Sequence, residues 1–216
     1  MGLVIKGRVE YRGIPKELVL LLKENLSYNS FIETGTYQGE TSIWASKHFE
    51  NVFTIEASEE IYEKLALKDF ANITSLLGNS SDLLGDITQE SSIFYLDAHN
   101  SGGATFDSYP LLDELDLINN SKLNHVIIVD DARFCMSVFN GETYGEIVDI
   151  CNKLSCNNRY VVIYDDMLIA VPREYKYLID DYTNILSKGI MKIDWINNIF
   201  KRISDYIKRR RLTKVK

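Results

Sequence analysis

Three aspartates and a histidine follow two apolar runs. Ser92-Ile-Phe-Tyr-Leu96 leads into Asp97-Ala98-His99, and His125-Val-Ile-Ile-Val129, the most β-branched run of the chain, ends in Asp130-Asp131. Carboxylates at the ends of neighbouring parallel strands meet at one edge of a crevice. Close carboxylates repel, so a shared cation is the natural compensation, and all-oxygen ligands favour Mg²⁺, Mn²⁺ or Ca²⁺ over zinc. The alternative is that Asp97 touches a bound ligand while Asp130-Asp131 caps a turn. His99, whose ordinary pKa lies near neutrality, is a candidate general base. It also reads as a metal ligand or as a loop histidine bonding backbone. Arg133 could hold a phosphate or carboxylate of a substrate, or form a surface ion pair. Further upstream, Phe31-Ile-Glu-Thr-Gly-Thr-Tyr-Gln-Gly-Glu-Thr41 ends an apolar run in Glu33 and opens a turn bearing Gly35 and Gly39, and Val52-Phe-Thr-Ile-Glu56 ends a second run in an acid.

The elements that must position these groups follow from the periodicity. Strands are expected at 30–33, 52–56, 72–77, 92–97 and 125–131, where short apolar or β-branched runs are bounded by turn residues. Helices are expected at 16–25 after Pro15, at 40–49 with Ile43, Trp44 and Phe49 inward, after a Ser58 cap, and briefly after Gly78. Two more are expected, at 110–119 and 144–154. Asp113 and Glu114 read as the solvated face of the helix at 110–119. His48 and His125 read as structural. Residues 160–164 and 167–171 form a hairpin across Asp165-Asp166, closed by Pro172, with the two aspartates as turn residues. Residues 100–108, with Gly102-Gly103, read as either a lid or a flexible connection. Alternating strands and helices imply an α/β, Rossmann-like, seven-stranded and mostly parallel sheet with an antiparallel seventh strand and helices on both faces.

The chain has 216 residues, 45% of them hydrophobic and 25% charged, as expected for a soluble globular protein. No apolar run reaches the roughly 18 residues of a membrane span, and the N-terminus lacks the apolar core of a secretory signal. Three cysteines, Cys135, Cys151 and Cys156, without a CxxC pair suit reduced thiols in a cytosolic protein. The net charge of −7 hides an asymmetry. Residues 201–216 carry eight bases against Asp205, so the preceding 200 residues carry −14. An acidic body suits a cation or a cationic ligand and argues against broad nucleic-acid contact.

Taken together, Glu33-Thr-Gly35-Thr-Tyr-Gln-Gly39-Glu-Thr41, Glu56, Gly78-Asn79-Ser80, Asp97-Ala-His99 and Asp130-Asp131 resemble the class I S-adenosylmethionine-dependent methyltransferases, and within them the macrocin-type metal-dependent O-methyltransferases. The resemblance covers roughly residues 28–172. It departs at Asn79, where an acid is usual, and at His99, where that group tends to carry another acid. It implies that Glu33, Gly35, Thr36, Gly39 and Thr41 hold the methionine end of the cofactor. Glu56 and Ala57 would meet the ribose, Asn79 and Ser80 the adenine, and Asp97 the cofactor as well. It further implies a divalent cation on Asp97, Asp130 and Asp131, with Asp97 and His99 catalytic and Arg133 and His99 facing the acceptor. The reaction would be transfer of the sulfonium methyl to a hydroxyl of a small polyol or saccharide, a lipid-linked bacterial surface glycan if the tail meets a membrane. The other readings are a nucleic-acid methyltransferase, disfavoured because the Asn/Asp-Pro-Pro-aromatic signature is missing after the fourth strand, and a non-catalytic S-adenosylmethionine-binding module. A nicotinamide-dependent oxidoreductase is disfavoured because Gly35 and Gly39 lack the GxGxxG spacing.

Three segments are expected: a lead-in with a helix over 1–27, the methyltransferase domain over 28–185, and a basic amphipathic tail over 186–216. In the tail Ile190, Ile193, Ile196, Ile199, Ile203 and Ile207 recur at helical spacing, with Trp195 and Arg209-Arg-Arg211 among and after them. Such a helix can lie on an anionic membrane from the cytoplasmic side, pack on the domain or in a homo-oligomer, or meet RNA.

Overall fold

The computed structural model describes residues 13–98, 110–136, 147–164 and 166–187. His99, the loop to 109, and the tail from 188 onward lie outside these residues. Seven strands run in chain order: β1 Ser30–Thr34, β2 Asn51–Glu56, β3 Ile73–Leu77, β4 Ser92–Leu96, β5 Val126–Val129, β6 Arg159–Tyr164 and β7 Met167–Pro172. Among the described residues eight α-helices alternate with them or follow: α1 Lys16–Leu26, α2 Glu40–Ser46, α3 Glu59–Lys64, α4 Ser80–Ile87, α5 Leu111–Asn120, α6 Arg133–Met136, α7 Ile147–Ser155 and α8 Lys176–Ser187. The chain divides into two units, residues 1–173 and 174–216. α8 belongs to the second.

The strands form one sheet in the order β3-β2-β1-β4-β5-β7-β6. β1 to β5 are mutually parallel, while β7 pairs antiparallel with both β5 and β6. β1, β4, β5 and β7 are buried at every residue, as central strands covered on both faces must be. The edge strands β3 and β6 are only partly buried.

Strand alternation assigns the two faces. On one, Ile32, Ile55, Phe94, Leu96, Ile127 and Val129 join Leu84 of α4, Leu111, Leu115 and Ile118 of α5, and Ile150 and Leu154 of α7 in a single core. On the other, Phe31 meets Trp44 edge-on at 6.3 Å and Phe49 at 5.3 Å. Lys16 and Lys23 of α1 lie over those same two rings, at 5.8 and 5.6 Å, so α1 and α2 share this face.

Several ends form as their residues dictate. Ser58 caps α3, its hydroxyl accepting from Ile61 N, and Asn79 caps α4 by accepting from Ser81 N at 3.1 Å. α2 stops at Ser46, three residues short of the expected end, and Phe49 enters the core from the following turn. One expectation fails outright. Asp113 is exposed, but Glu114 is 1% exposed and buried with Leu111, Leu115 and Ile118. It lies three residues after Leu111 and four before Ile118, on the inward stripe of α5.

His125 and Arg159 are structural. The imidazole Nδ1 of His125 accepts from Ser92 N at 3.2 Å, and Nε2 pairs with the Ser121 hydroxyl at 2.8 Å. Burial, then the Arg159 charge, push its pKa down to about 4. Arg159 donates to Leu154 O and Lys153 O at the end of α7 and to the Asn119 side chain of α5.

Candidate active site

The sheet register brings the acids into step. Thr34 pairs with Leu96 and Leu96 with Val129, so the next residues, Gly35, Asp97 and Asp130, come out side by side where β1 and β4 part company in the chain order. The ladder continues into them, with Asp97 N donating to Thr34 O at 3.1 Å and Asp130 N to Leu96 O at 3.0 Å. This is the switch point at which open α/β sheets bind ligands.

Gly35 has a φ of +83°, and a Cβ on it would stand 2.4 Å from the Asp97 carbonyl oxygen. Only glycine fits, so the β1 turn lies flush against the end of β4. Gly39, at φ +76°, opens α2.

Glu33 is 2% exposed. Its carboxylate accepts from the Ser42 and Thr54 hydroxyls, the latter at 2.9 Å. Burial drives its pKa up to about 7 against those bonds, with the Asp97 charge adding. The Thr36 and Thr54 hydroxyls are 2.6 Å apart. With Glu33 ionised, Thr54 donates to it and accepts from Thr36. Thr36 therefore supports Glu33 from within the fold, and its hydroxyl is buried rather than presented to the crevice. Thr41 also acts to lower the Glu33 pKa.

Glu56 at the end of β2 is held at both oxygens. Tyr37 N donates to Oε2 and Ser58 N to Oε1, each at 2.9 Å. Each oxygen keeps a further lone pair, so the carboxylate is aimed and still able to accept two hydroxyls. Ala57 beside it is exposed. Asn79 has one lone pair of its carbonyl engaged in the α4 cap, and Ser80 behind it is buried.

Tyr95 joins these acids as well. It lies two residues before Asp97 and so on the same face, opposite Glu33 in the register. That spacing was the available signal. Its hydroxyl donates to Asp130 Oδ2. Burial and then the charges of Asp97 and Asp130 raise its pKa far above the ordinary phenol value. Burial, followed by the charge of Asp97, pushes Asp130 up to about 6, while Tyr95 and Asp131 N hold it down.

The third carboxylate goes elsewhere. Asp131 adopts φ +55° and pairs with the Arg133 guanidinium at 2.6 Å. Arg133 also binds the Asp166 carboxylate, which in turn accepts from Arg133 N at 2.9 Å. The expected set of three carboxylates is thus reduced to Asp97 and Asp130, and among the described residues no group of three His, Cys, Asp or Glu is arranged to hold a metal. Arg133, expected on the acceptor, has two carboxylates of its own fold on its guanidinium. Asp166 sits in the hairpin turn as expected, at φ +64°, and carries this ion pair besides.

No family model and no curated protein matches the chain. Solved structures do. The O-methyltransferase TomG from Streptomyces achromogenes, in complex with SAM, is similar at a TM-score of 0.52 and 16% identity over 74% of this chain and 81% of that one. An O-methyltransferase from Bacillus cereus with SAH follows at 0.50 and 17%, over 74% and 83%. The SAH-bound methyltransferase PaMTH1 from Podospora anserina stands at 0.50 and 12%, over 72% and 76%. At these identities the likeness speaks for the fold. With its strand order, its antiparallel β7 and the acids ending β1, β2 and β4, this chain has the fold of the class I S-adenosylmethionine-dependent methyltransferases.

Proposed function

We propose that this protein is an S-adenosylmethionine-dependent O-methyltransferase acting on a hydroxyl of a small polyol or saccharide. One observation carries the reading: Glu56, fixed by Tyr37 N and Ser58 N, stands at the end of β2 beside a glycine turn that only glycine can make. A carboxylate so held accepts the two ribose hydroxyls of the cofactor, while Gly35 lets the backbone approach its methionine end. Glu33 and Asp97 supply negative charge for the methionine ammonium and the sulfonium.

Asp97 and Asp130 face the acceptor. They are close enough that the charge of one raises the pKa of the other, which a divalent cation would relieve. Mg²⁺ is commonly held by one or two carboxylates with water and substrate oxygens completing its shell, and this pair fits that role without Asp131. When bound, the cation would acidify and orient the acceptor hydroxyl. His99, two residues beyond Asp97, is the proposed base, and in-line positioning of oxygen and methyl supplies much of the remaining rate. The saccharide reading rests on the macrocin-type resemblance. The basic tail supports a lipid-linked acceptor met at the cytoplasmic face of an anionic membrane.

Titration calorimetry with S-adenosylmethionine tests the reading. Micromolar binding is expected, tighter or matched by measurable Mg²⁺ binding that Asp130→Asn abolishes. A folded protein that ignores S-adenosylmethionine refutes it. His99→Ala should cost turnover on the order of 10²–10⁴-fold with cofactor affinity unchanged. Sedimentation of the full chain with anionic liposomes at low salt checks the tail.

A further inference from the structure

Past Ser92, β4 carries a single polar side chain among apolar ones, the phenol of Tyr95, and it is 1% exposed. A phenylalanine would fill the same space, so the hydroxyl has to be accounted for by what it bonds. In the sheet register Tyr95 stands beside Ile128, and Asp130 lies two residues further along the chain on the same face. At about 3.3 Å per strand residue that is a span of about 7 Å, which a tyrosine covers and a serine or threonine does not. The Tyr95 hydroxyl donates to Asp130 Oδ2. Glu33, beside Tyr95 on β1, is served by the Ser42 and Thr54 hydroxyls and does not compete for it. The other oxygen of Asp130, Oδ1, accepts from Asp131 N at 2.8 Å. That amide is itself fixed, because Asp131 sits in a left-handed turn at φ +55° and pairs with Arg133, which also binds Asp166. The Asp130 carboxylate is thus gripped from two directions, by the neighbouring strand at one oxygen and by its own turn at the other. Each oxygen keeps a lone pair for a ligand.

We infer that Tyr95 is a positioning residue of the proposed cation site, its hydroxyl reaching across from β4 to hold the Asp130 carboxylate in one orientation for a divalent cation. Mg²⁺ demands near-ideal octahedral geometry, whereas Ca²⁺ tolerates a looser set of oxygens. A carboxylate that cannot turn therefore favours the smaller ion. The inference rests on the divalent-cation reading above. A wild-type chain that binds neither Mg²⁺ nor Mn²⁺ ends that reading and this inference with it. A wild-type chain that binds, together with an unaffected variant, ends only this one.

The experiment pairs calorimetry with thermal melts of the full chain. Tyr95→Phe keeps the ring and its packing and removes only the donor, so a cooperative melt is expected. In the presence of S-adenosylmethionine its Mg²⁺ affinity should fall about tenfold to a hundredfold, the usual cost of removing a group that orients a metal ligand. Ca²⁺ affinity should fall by a smaller factor, since its shell adapts to a carboxylate that turns. Affinity for S-adenosylmethionine itself should stay within about twofold of wild type. A merely structural phenol would shift the melting temperature and leave both cation affinities of the folded chain intact. Mg²⁺ affinity within twofold of wild type in Tyr95→Phe, or equal losses for Mg²⁺ and Ca²⁺, overturns the inference. A second measurement needs no variant. In crystals of the wild-type chain grown with Mn²⁺, the anomalous peak should lie on Asp130 with the Tyr95 hydroxyl still donating to the same carboxylate. A peak away from Asp130, or a phenol turned off it, overturns the inference whether or not Tyr95→Phe folds.

Discussion

Replacing Glu114 by Gln should stabilise the fold in alkali and leave it little changed in acid. The folded-state pKa of Glu114 stands at about 7 against an ordinary 4.5, with burial the first cause, the Ser80 and Thr34 hydroxyls opposing and the Asp113 charge adding. The folded chain therefore keeps a proton that the unfolded chain gives up. Stability falls as pH rises from 4.5, and the loss is complete above the folded pKa. At 1.36 kcal/mol per unit, a shift of this size amounts to about 3 kcal/mol by pH 8. Gln has no proton to lose, so the difference between variant and wild type should grow across that window and then level off. For a domain of this size about 3 kcal/mol corresponds to roughly 6–12 °C in melting temperature. The assay is urea unfolding of both proteins at half-unit steps from pH 4 to 9. A constant offset between isosteres reflects hydrogen bonding alone, so only the pH-dependent part counts. Parallel curves throughout would show that the carboxyl ionises as freely in the fold as outside it, and would remove the burial argument.

His125 carries the opposite sign. Its folded pKa of about 4 lies below the ordinary 6.5, so its contribution is present above pH 6.5 and lost as pH falls through 6.5 toward 4. His125→Gln, which keeps an acceptor for Ser92 N, should lose less stability over that acid window, as read by the same unfolding series. Gly35→Ala should destabilise by more than the 1–2 kcal/mol of a left-handed residue, because the added methyl also meets the Asp97 carbonyl. Calorimetry should find S-adenosylmethionine binding abolished, and retained micromolar affinity would mean the turn can shift. Glu56→Ala should weaken S-adenosylmethionine at least tenfold, with a larger proportional loss for adenosine than for methionine as competitor.

How much of this was legible in the sequence depends on which interactions are local. β1 to β5 announced themselves as short apolar runs, all but β3 ending in or running into an acid, and the hairpin of β6 and β7 by two runs around Asp165-Asp166. The mostly parallel pairing followed from the alternation of strands and helices, while the order β3-β2-β1-β4-β5-β7-β6 came only with the structure. The glycine at 35 was legible as a turn, but not as a contact, since its necessity comes from Asp97 in a strand some sixty residues later. The ion pairs of Asp131 and Arg133 were out of reach for the same reason. Their destiny is set by Asp166 in the turn between β6 and β7, which no reading of residues 130–133 discloses. Glu114 was placed on the solvated face because it sits beside Asp113. The 3.6-residue period through Leu111, Leu115 and Ile118 already put it inside.

The distinction between Glu33 and Thr34 shows why reading one strand gives half a site. Adjacent residues on β1 face opposite layers. Glu33 turns to Ser42 and Thr54 with the ligand-facing turn, and Thr34 turns to α5. Both Glu33 and Glu114 are driven to about 7 by burial, one on each side of the same strand end. Neither shift has a cation among its causes. On the proposed function, bound S-adenosylmethionine would bring an ammonium and a sulfonium to the Glu33 side only. Binding should therefore pull the Glu33 pKa down, through attraction of opposite charges, and leave Glu114 where it was. Proton release on binding, measured by calorimetry in buffers of different ionisation enthalpy near pH 7, should vanish in Glu33→Gln and persist in Glu114→Gln. Persistence in both, or loss in Glu114→Gln alone, would place the cofactor's charge on the wrong side of the sheet.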